Sequence, residues 1–340
     1  IEIQIDKMRY TPDFSLRLHE VNSSLHLYGD FKLDHIRNYL AMSDIPTQLR
    51  AVGYFGRQTG TNIFVFSNCV FSCGVVAESD DYVVQERTFT RGTNPMQERD
   101  FPALYIEPNV IKRYNTFVDV YDSMETQFGS NTTPARIMLA ITAMDLHASK
   151  FWLERGPLQN VVSATAISVQ AGTGKTRAQK MCNALLGMNS QRLIQGSQCS
   201  LPGLYERLSM FADLPVMIDE IVTKKNKGPE QSAKVKELTH SCFDQNQRVV
   251  FGKTRCPRTT FIASANCSAN PNDKPSWQRQ LDVHFFPAKY TEDTSEVDWN
   301  DLMERFSSCL PHFEQMVLYS DGDDQKKHPM LDLEAMTDCA

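Results

Sequence analysis

Residues 163–187, SATAISVQAGTGKTRAQKMCNALLG, constrain the fold more than any other stretch of the chain. An apolar run, Ala164 to Val169, passes through a glycine-punctuated turn into TRAQKMCNALLG, which is patterned as a helix and closed by Gly187. A strand feeding such a turn into a helix N-terminus gathers backbone N–H groups and the positive end of the helix dipole around one point, which makes a cradle for an anion. The cradle comprises Gln170, Ala171, Gly172, Thr173, Gly174, Lys175 and Thr176. Gly172 and Gly174 let phosphate oxygens approach the backbone, Lys175 is placed for the β- and γ-phosphates of ATP, and the Thr176 hydroxyl for Mg²⁺. Val169 stands where the G-x-x-x-x-G-K-[ST] pattern has its first glycine, so the turn into the loop is expected to differ while the cradle is kept. A glycine turn with an incidental lysine is the alternative.

Two later segments fit the same chemistry. Leu214 to Glu220, LPVMIDE, is an apolar strand ending in paired carboxylates. In that position Asp219 holds the metal, usually through water, and Glu220 positions and polarises an attacking water. An acidic pair after a strand is otherwise a common surface turn. TTFIASAN, residues 259–266, is a further strand, ending in Asn266. Parallel strands deliver their C-terminal ends to one edge of a sheet, so Lys175, Asp219 and Asn266 are expected to converge on one crevice, where Asn266 orients the water or senses the γ-phosphate.

The segments SATAISV, QRLIQ, LPVMID, TTFIASA and LDVHFF alternate with helical patterns from residue 161 onward, which predicts an α/β core with a largely parallel sheet. Residues 1–107 read as a β-rich, α+β domain of unassigned role, with strands at IEIQI, SLRLH, SLHLYG, VGYFG, TNIFVFSN, YVVQ and ALYIEP and one helix within Leu33 to Met42. Residues 108–157 carry apolar positions at helical spacing and form a helical bridge, its second helix capped by Thr133 and opened by Pro134. The core then occupies 158–290, and 291–340 form a helix through Trp299 to Phe313 followed by a flexible tail at DGDDQKKH.

Composition narrows the partners. The longest apolar runs are far shorter than the roughly 20 residues that span a bilayer, so no membrane segment is expected. The chain begins with Ile1 and reads as a piece of a longer protein. Nine scattered cysteines point to a reducing compartment, cytoplasmic or nuclear. Cys69 and Cys73 lack two further ligands at zinc spacing and read as buried thiols. The net charge of −6 carries no global signal for nucleic acid, but residues 221–260 hold nine basic against three acidic side chains. A solvated lysine-rich face explains half of that weight by itself.

In four ordered blocks, QAGTGKT, VMIDE, VKELTHSCFDQNQRVVFGKTRCPRTTFIASAN and SWQRQLDVHFF, residues from about 160 to 290 resemble the superfamily 3 helicases. These are AAA+ P-loop ATPases of viruses, phages, plasmids and other mobile elements. The last block is similar to the Trp-x-Arg segment of poxvirus-like and phage primase-helicases. A Val52-Gly53-Tyr54 segment followed by TNIFVFSN also resembles the helicase-like family called domain of unknown function 927. The resemblance implies an AAA+-like core, an ATP-driven homo-hexamer, single-stranded or forked DNA gripped by a pore hairpin, and a primase or polymerase as a possible partner. By position, Lys253 matches the hairpin lysine, with Arg248, Arg255 and Arg258 around it. Arg279 matches the arginine finger supplied to a neighbouring subunit, or it is a structural residue near Trp277. Two departures stand out: Val169, and His240-Ser241-Cys242 where the family continues with glycines and an acidic residue. A P-loop ATPase that remodels a protein partner is the competing function, since hydrolysis does not depend on what is threaded.

Overall fold

The computed structural model describes residues 50–52, 54–58, 61–72, 75–78, 82–84, 101–150, 161–190, 193–222, 229–246, 248–250, 253–268, 273–287 and 296–315. The strands expected at IEIQI, SLRLH and SLHLYG, the helix within 33–42 and the DGDDQKKH tail lie outside these residues. Ala51–Ala340 form one compact unit.

The first layer is a mostly antiparallel sheet of β1 (Phe55–Arg57), β2 (Ile63–Val65), β3 (Cys69–Ser72) and β4 (Val75–Glu78). Next come the long helices α1 (Val110–Phe128) and α2 (Thr132–Asp145) of the expected bridge. The α/β region is built from β5 (Ser163–Ile167), α3 (Lys175–Leu185), β6 (Ile194–Gln195), α4 (Leu201–Met210), β7 (Phe211–Ala212) and β8 (Val216–Val222). It continues with α5 (Pro229–Asp244), β9 (Arg248–Val250), β10 (Lys253–Arg255), β11 (Phe261–Ala265), α6 (Lys274–Trp277) and β12 (Gln280–His284). Helices α7 (Glu296–Arg305) and α8 (Leu310–Gln315) follow.

All five strands expected for the α/β core pair in one parallel sheet, in the order β12-β5-β11-β8-β6. The glycine-loop strand β5 and the acidic strand β8 are thus not neighbours; β11 runs between them, and its Ser264 bonds to Asp219 and Glu220 of β8. Continuous burial of β5 and β11 explains their unbroken apolar character, since a strand covered on both faces has no solvent side to alternate toward. Helices α2 and α3 pack on each other and on this sheet.

The N-terminal layer is fastened to this core by a strand the sequence did not advertise. β7 is two residues long and adds in parallel to β1. Beside it, the buried Arg57 guanidinium donates to Asp213 Oδ2 at 2.8 Å and to the Leu146 carbonyl at 2.9 Å, and stacks over Phe64. A strand of two residues lies below any periodic signal in the sequence.

Two local expectations are corrected. ALYIEP forms no strand: the amide of Asn68 pairs with both the N–H and the C=O of Leu104, and Ala103 N–H donates to Gly187 O, so side chain and loop replace a ladder. Helix α2 starts at Thr132, not after Thr133, and its N-cap Asn131 makes no cap bond because its amide is engaged elsewhere.

Candidate nucleotide site

The loop from Ser168 to Gly174 joins β5 to α3 at the C-terminal edge of the sheet. Gly172 and Gly174 take φ values of 73° and 90°, a left-handed backbone that costs glycine nothing and other residues strain. A Cβ added at Gly172 would meet nothing within 4 Å, so a side chain there would project into open space. Gln170 and Ala171 are exposed, Thr173 is buried, and α3 opens directly on Lys175 and Thr176. Val169 is exposed and needs no left-handed turn, and the bend is taken up at Gly172 and Gly174 instead.

Lys175 is half-buried. Burial pulls its ammonium below the ordinary lysine value, while the carboxylates of Asp219 and Glu220 push the other way. Its Nζ donates to the Gln170 carbonyl at 3.4 Å, folding it back over the loop. Thr176 Oγ1 lies 3.5 Å from Asp219 Oδ1. The two groups expected to hold a cation thus face each other across the crevice.

The acidic pair sits on an irregularity in β8. Against β11, Ile218 registers with Ala263 but Val222 with Ala265, so β8 carries extra residues at Asp219–Ile221. Such a bulge re-aims side chains that a regular strand would send to alternate faces. Glu220 accordingly has a positive φ of 49° and is exposed. Ser264 fills the broken ladder: its hydroxyl donates to Asp219 Oδ1 at 2.5 Å and accepts from the Glu220 N–H at 2.9 Å. Gln179, one turn into α3 and fully buried, donates to the carbonyls of Ile218 and Ile262 and ties the helix to both central strands. Asn266 follows β11 at the same edge and is half-buried.

A fixed amide holds the other side of the loop. Asn131, fully buried between α1 and α2, donates to Thr173 O at 3.0 Å and to Phe286 O at 2.6 Å, and accepts from Phe286 N–H at 2.8 Å. Nearby, Gln127 at the end of α1 accepts from Arg177 in the first turn of α3 at 2.9 Å.

Sequence reasoning missed Ser264, Gln179 and Asn131. A lone hydroxyl in the buried run FIASA and a glutamine among the apolar positions of α3 were usable signals, because a polar side chain placed inside must have a partner. Asn131 gave none, since asparagine between two helices reads as a turn.

Arg279 is not brought to this crevice within the chain. It precedes β12 at the opposite edge of the sheet, where its guanidinium lies 3.5 Å from Asp244 and over the Phe243 ring.

The expected hairpin is present as β9 and β10, antiparallel with Arg248 opposite Arg255 and Val250 opposite Lys253. Two of its expected DNA contacts are occupied by the protein itself. Arg255 makes a two-pronged ion pair with Glu206 on α4, both nitrogens at 2.5 Å, and Arg258 lies over the Tyr54 ring. Among the described residues no group of three or more metal-ligating side chains occurs, and no helix is long and apolar enough to cross a membrane. Cys69 is buried, and burial pushes its thiol up to about 12.

No protein-family model and no curated protein matches the chain. Solved structures do. An active helicase, Cch of SCCmec type IV, is 12% identical with a TM-score of 0.49 over 90% of this chain and 52% of its own. The apo C-terminal region of NrS-1 is 9% identical with a TM-score of 0.36 over 89% and 59%, and the JCV helicase 13% identical with 0.31 over 60% and 60%. The chain spans about half the length of the first of these. The class defined by the fold is a mixed α/β protein with a five-stranded parallel sheet. Likeness at these values goes no further, and function has to be read from the chain's own residues.

Proposed function

We propose that this chain is an ATP-hydrolysing motor of the superfamily 3 helicase type, acting on single-stranded or forked DNA as a six-membered ring, in the replication of a virus, phage, plasmid or mobile element. The observation that carries the reading is the juxtaposition of the Gly172–Thr176 cradle with an Asp219–Glu220 pair whose geometry Ser264 fixes. The fit is physical: a left-handed glycine turn, a helix N-terminus and a half-buried lysine favour a polyphosphate, and two facing oxygens favour a hard cation. Bound ATP and Mg²⁺ supply the phosphoanhydride and the charge neutralisation.

Within that arrangement Lys175 would neutralise the outer phosphates, Thr176 and Asp219 would hold the cation, and Asn266 with Glu220 would orient the water that attacks the γ-phosphorus, Glu220 accepting its proton while the bond to the departing ADP breaks. Arg279 acts on the site of an adjacent subunit. Lys253 and Arg248 are the hairpin cations assigned to the DNA backbone, and a primase or polymerase is the partner class such a motor serves.

ATP turnover measured with and without single-stranded DNA, beside Lys175→Ala, tests the reading. Hydrolysis that the variant loses and that DNA stimulates is expected. Equal, negligible turnover in both proteins overturns it. A second reading, an ATPase that remodels a protein partner, is favoured by the engagement of Arg255 with Glu206 and of Arg258 with Tyr54, which leaves fewer cations for nucleic acid. Turnover indifferent to DNA at low salt would select it.

A further inference from the structure

Phe286 is 61% exposed, beside the glycine loop. Exposed apolar side chains scattered singly are ordinary and mean nothing alone. What separates Phe286 is how its backbone is held. Strand β12 pairs with β5 up to His284 opposite Ile167, and the Phe285 N–H continues the ladder to the Ile167 carbonyl at 2.8 Å. Phe285 is buried at 3%, so the next residue emerges from the sheet edge where β5 turns into the loop. There Asn131 takes both main-chain polar groups of Phe286, and the same Nδ2 that reaches Phe286 O also reaches Thr173 O in the cradle. One fully buried amide therefore locks an exposed aromatic residue and the phosphate loop into a single unit. Nothing in the packing of the core requires that: the ring buries little, while the lock uses both amide hydrogens of the asparagine and its Oδ1.

The side of the loop matters. The acidic pair, Ser264 and Asn266 all lie on the β11–β8 side of β5, so the terminal phosphate belongs there. Phe286 follows β12, on the other side of β5, the direction in which the remainder of a nucleotide has to leave the cradle. Resting on the nucleotide reading given above, we propose that Phe286 is the base-stacking wall of this site, and that Asn131 is the positioning residue that fixes this wall to the phosphate loop. The ligand class is a nucleoside triphosphate, with the ATP of that reading as its probe. Every base presents a π-face, and stacking on an aromatic side chain is worth about 5- to 100-fold in affinity.

The test titrates the full chain with Mg–ATP and, as a base-free probe, inorganic tripolyphosphate. Phe286→Ala is expected to weaken ATP by about 5- to 100-fold while leaving tripolyphosphate unchanged, and Phe286→Tyr to keep the wild-type ATP affinity. Asn131→Ala is expected to weaken both probes, because Thr173 loses its anchor along with Phe286. Since the Phe286 ring is exposed, its removal leaves the fold intact, and an unchanged melting temperature verifies that. Wild-type ATP affinity in Phe286→Ala, or equal loss of ATP and tripolyphosphate, overturns the wall while the nucleotide reading stands. A wild-type chain that binds neither probe, with Lys175→Ala no different, overturns both.

Discussion

Ser264 and Asp219 are joined by a 2.5 Å hydrogen bond across the β11–β8 boundary, and the same hydroxyl receives the Glu220 N–H. Because Glu220 sits at a positive φ, its backbone has no regular ladder partner to hold it, and the hydroxyl supplies that restraint. Ser264→Ala leaves Asp219 without its donor and the Glu220 N–H without its acceptor. The expected outcome is a fall in the ATP turnover number of about tenfold or more, with a raised Mg²⁺ requirement and little change in ATP affinity, since a small misplacement of a water-orienting group is costly. Steady-state kinetics over a Mg²⁺ titration check it. A change confined to ATP affinity would place Ser264 outside the acidic pair's control.

Legibility in the sequence followed element length. The five core strands were visible because each is an apolar run bounded by turn residues, and their shared sheet edge followed from parallel pairing. Of QRLIQ the described residues form a strand at Ile194–Gln195, at the sheet's edge, where β8 is its partner. The acidic pair was legible as chemistry, but its bulge was not, since a register shift appears only when the partner strand is present. The hairpin could be read from Arg248 to Arg255, whereas the diversion of Arg255 to Glu206 depends on a helix distant in sequence. Arg57–Asp213 and Asn131 escaped for the same reason: each is a long-range pairing of residues that look like turn or surface positions.

The hairpin arginines separate into structure and function by experiment. With both partners about seven-eighths buried, the Arg255–Glu206 pair is a packing element, and Arg255→Ala leaves a carboxylate without its cation. That variant is expected to melt several degrees lower. Lys253→Ala is expected to keep the melting temperature and to reduce the slope of log affinity for single-stranded DNA against log salt by about 0.7 per site lost. Thermal melts and salt titrations on the two variants decide it. A Lys253→Ala protein with the wild-type salt slope removes the hairpin from the DNA contact.

Asp145 makes the fold pH-sensitive. Burial raises its carboxyl to about 7, the charge of Asp213 adding to the rise and hydrogen bonds from Thr260 and Thr259 opposing it. The folded chain therefore holds a proton that the unfolded chain, near 3.8, has released, and stability falls as pH rises from about 4 to about 7. Asp213, raised by burial to about 6 despite Arg57, has the same sign. His147, lowered by burial to about 4 and bonded to the Phe313 carbonyl, has the opposite sign, losing stability as pH falls below 6.5. Only a difference measurement isolates Asp145. The melting temperature of Asp145→Asn minus that of wild type is expected to increase between pH 5 and 7.5 and to level off above. A difference that stays flat across that range contradicts the protonated carboxyl.

Arg279 lies at the sheet edge opposite the glycine loop of its own chain, where Asp244 and the Phe243 ring orient its guanidinium. A group in that place has no path to its own Lys175, so any catalytic part it plays is played in a neighbouring subunit. This makes the finger assignment separable from a structural role. Arg279→Ala alone is expected to abolish most turnover, but loss of the Asp244 contact would do so as well. Mixing is the discriminating step: Arg279→Ala subunits keep Lys175, and Lys175→Ala subunits keep Arg279. In a ring with shared sites, a random equal mixture of two inactive variants regenerates a complete interface at about a quarter of its positions. Recovery of turnover to about that fraction is expected on mixing. Two preparations that remain inactive together, while each still assembles, would leave Arg279 as the packing partner of Asp244 and Phe243 alone.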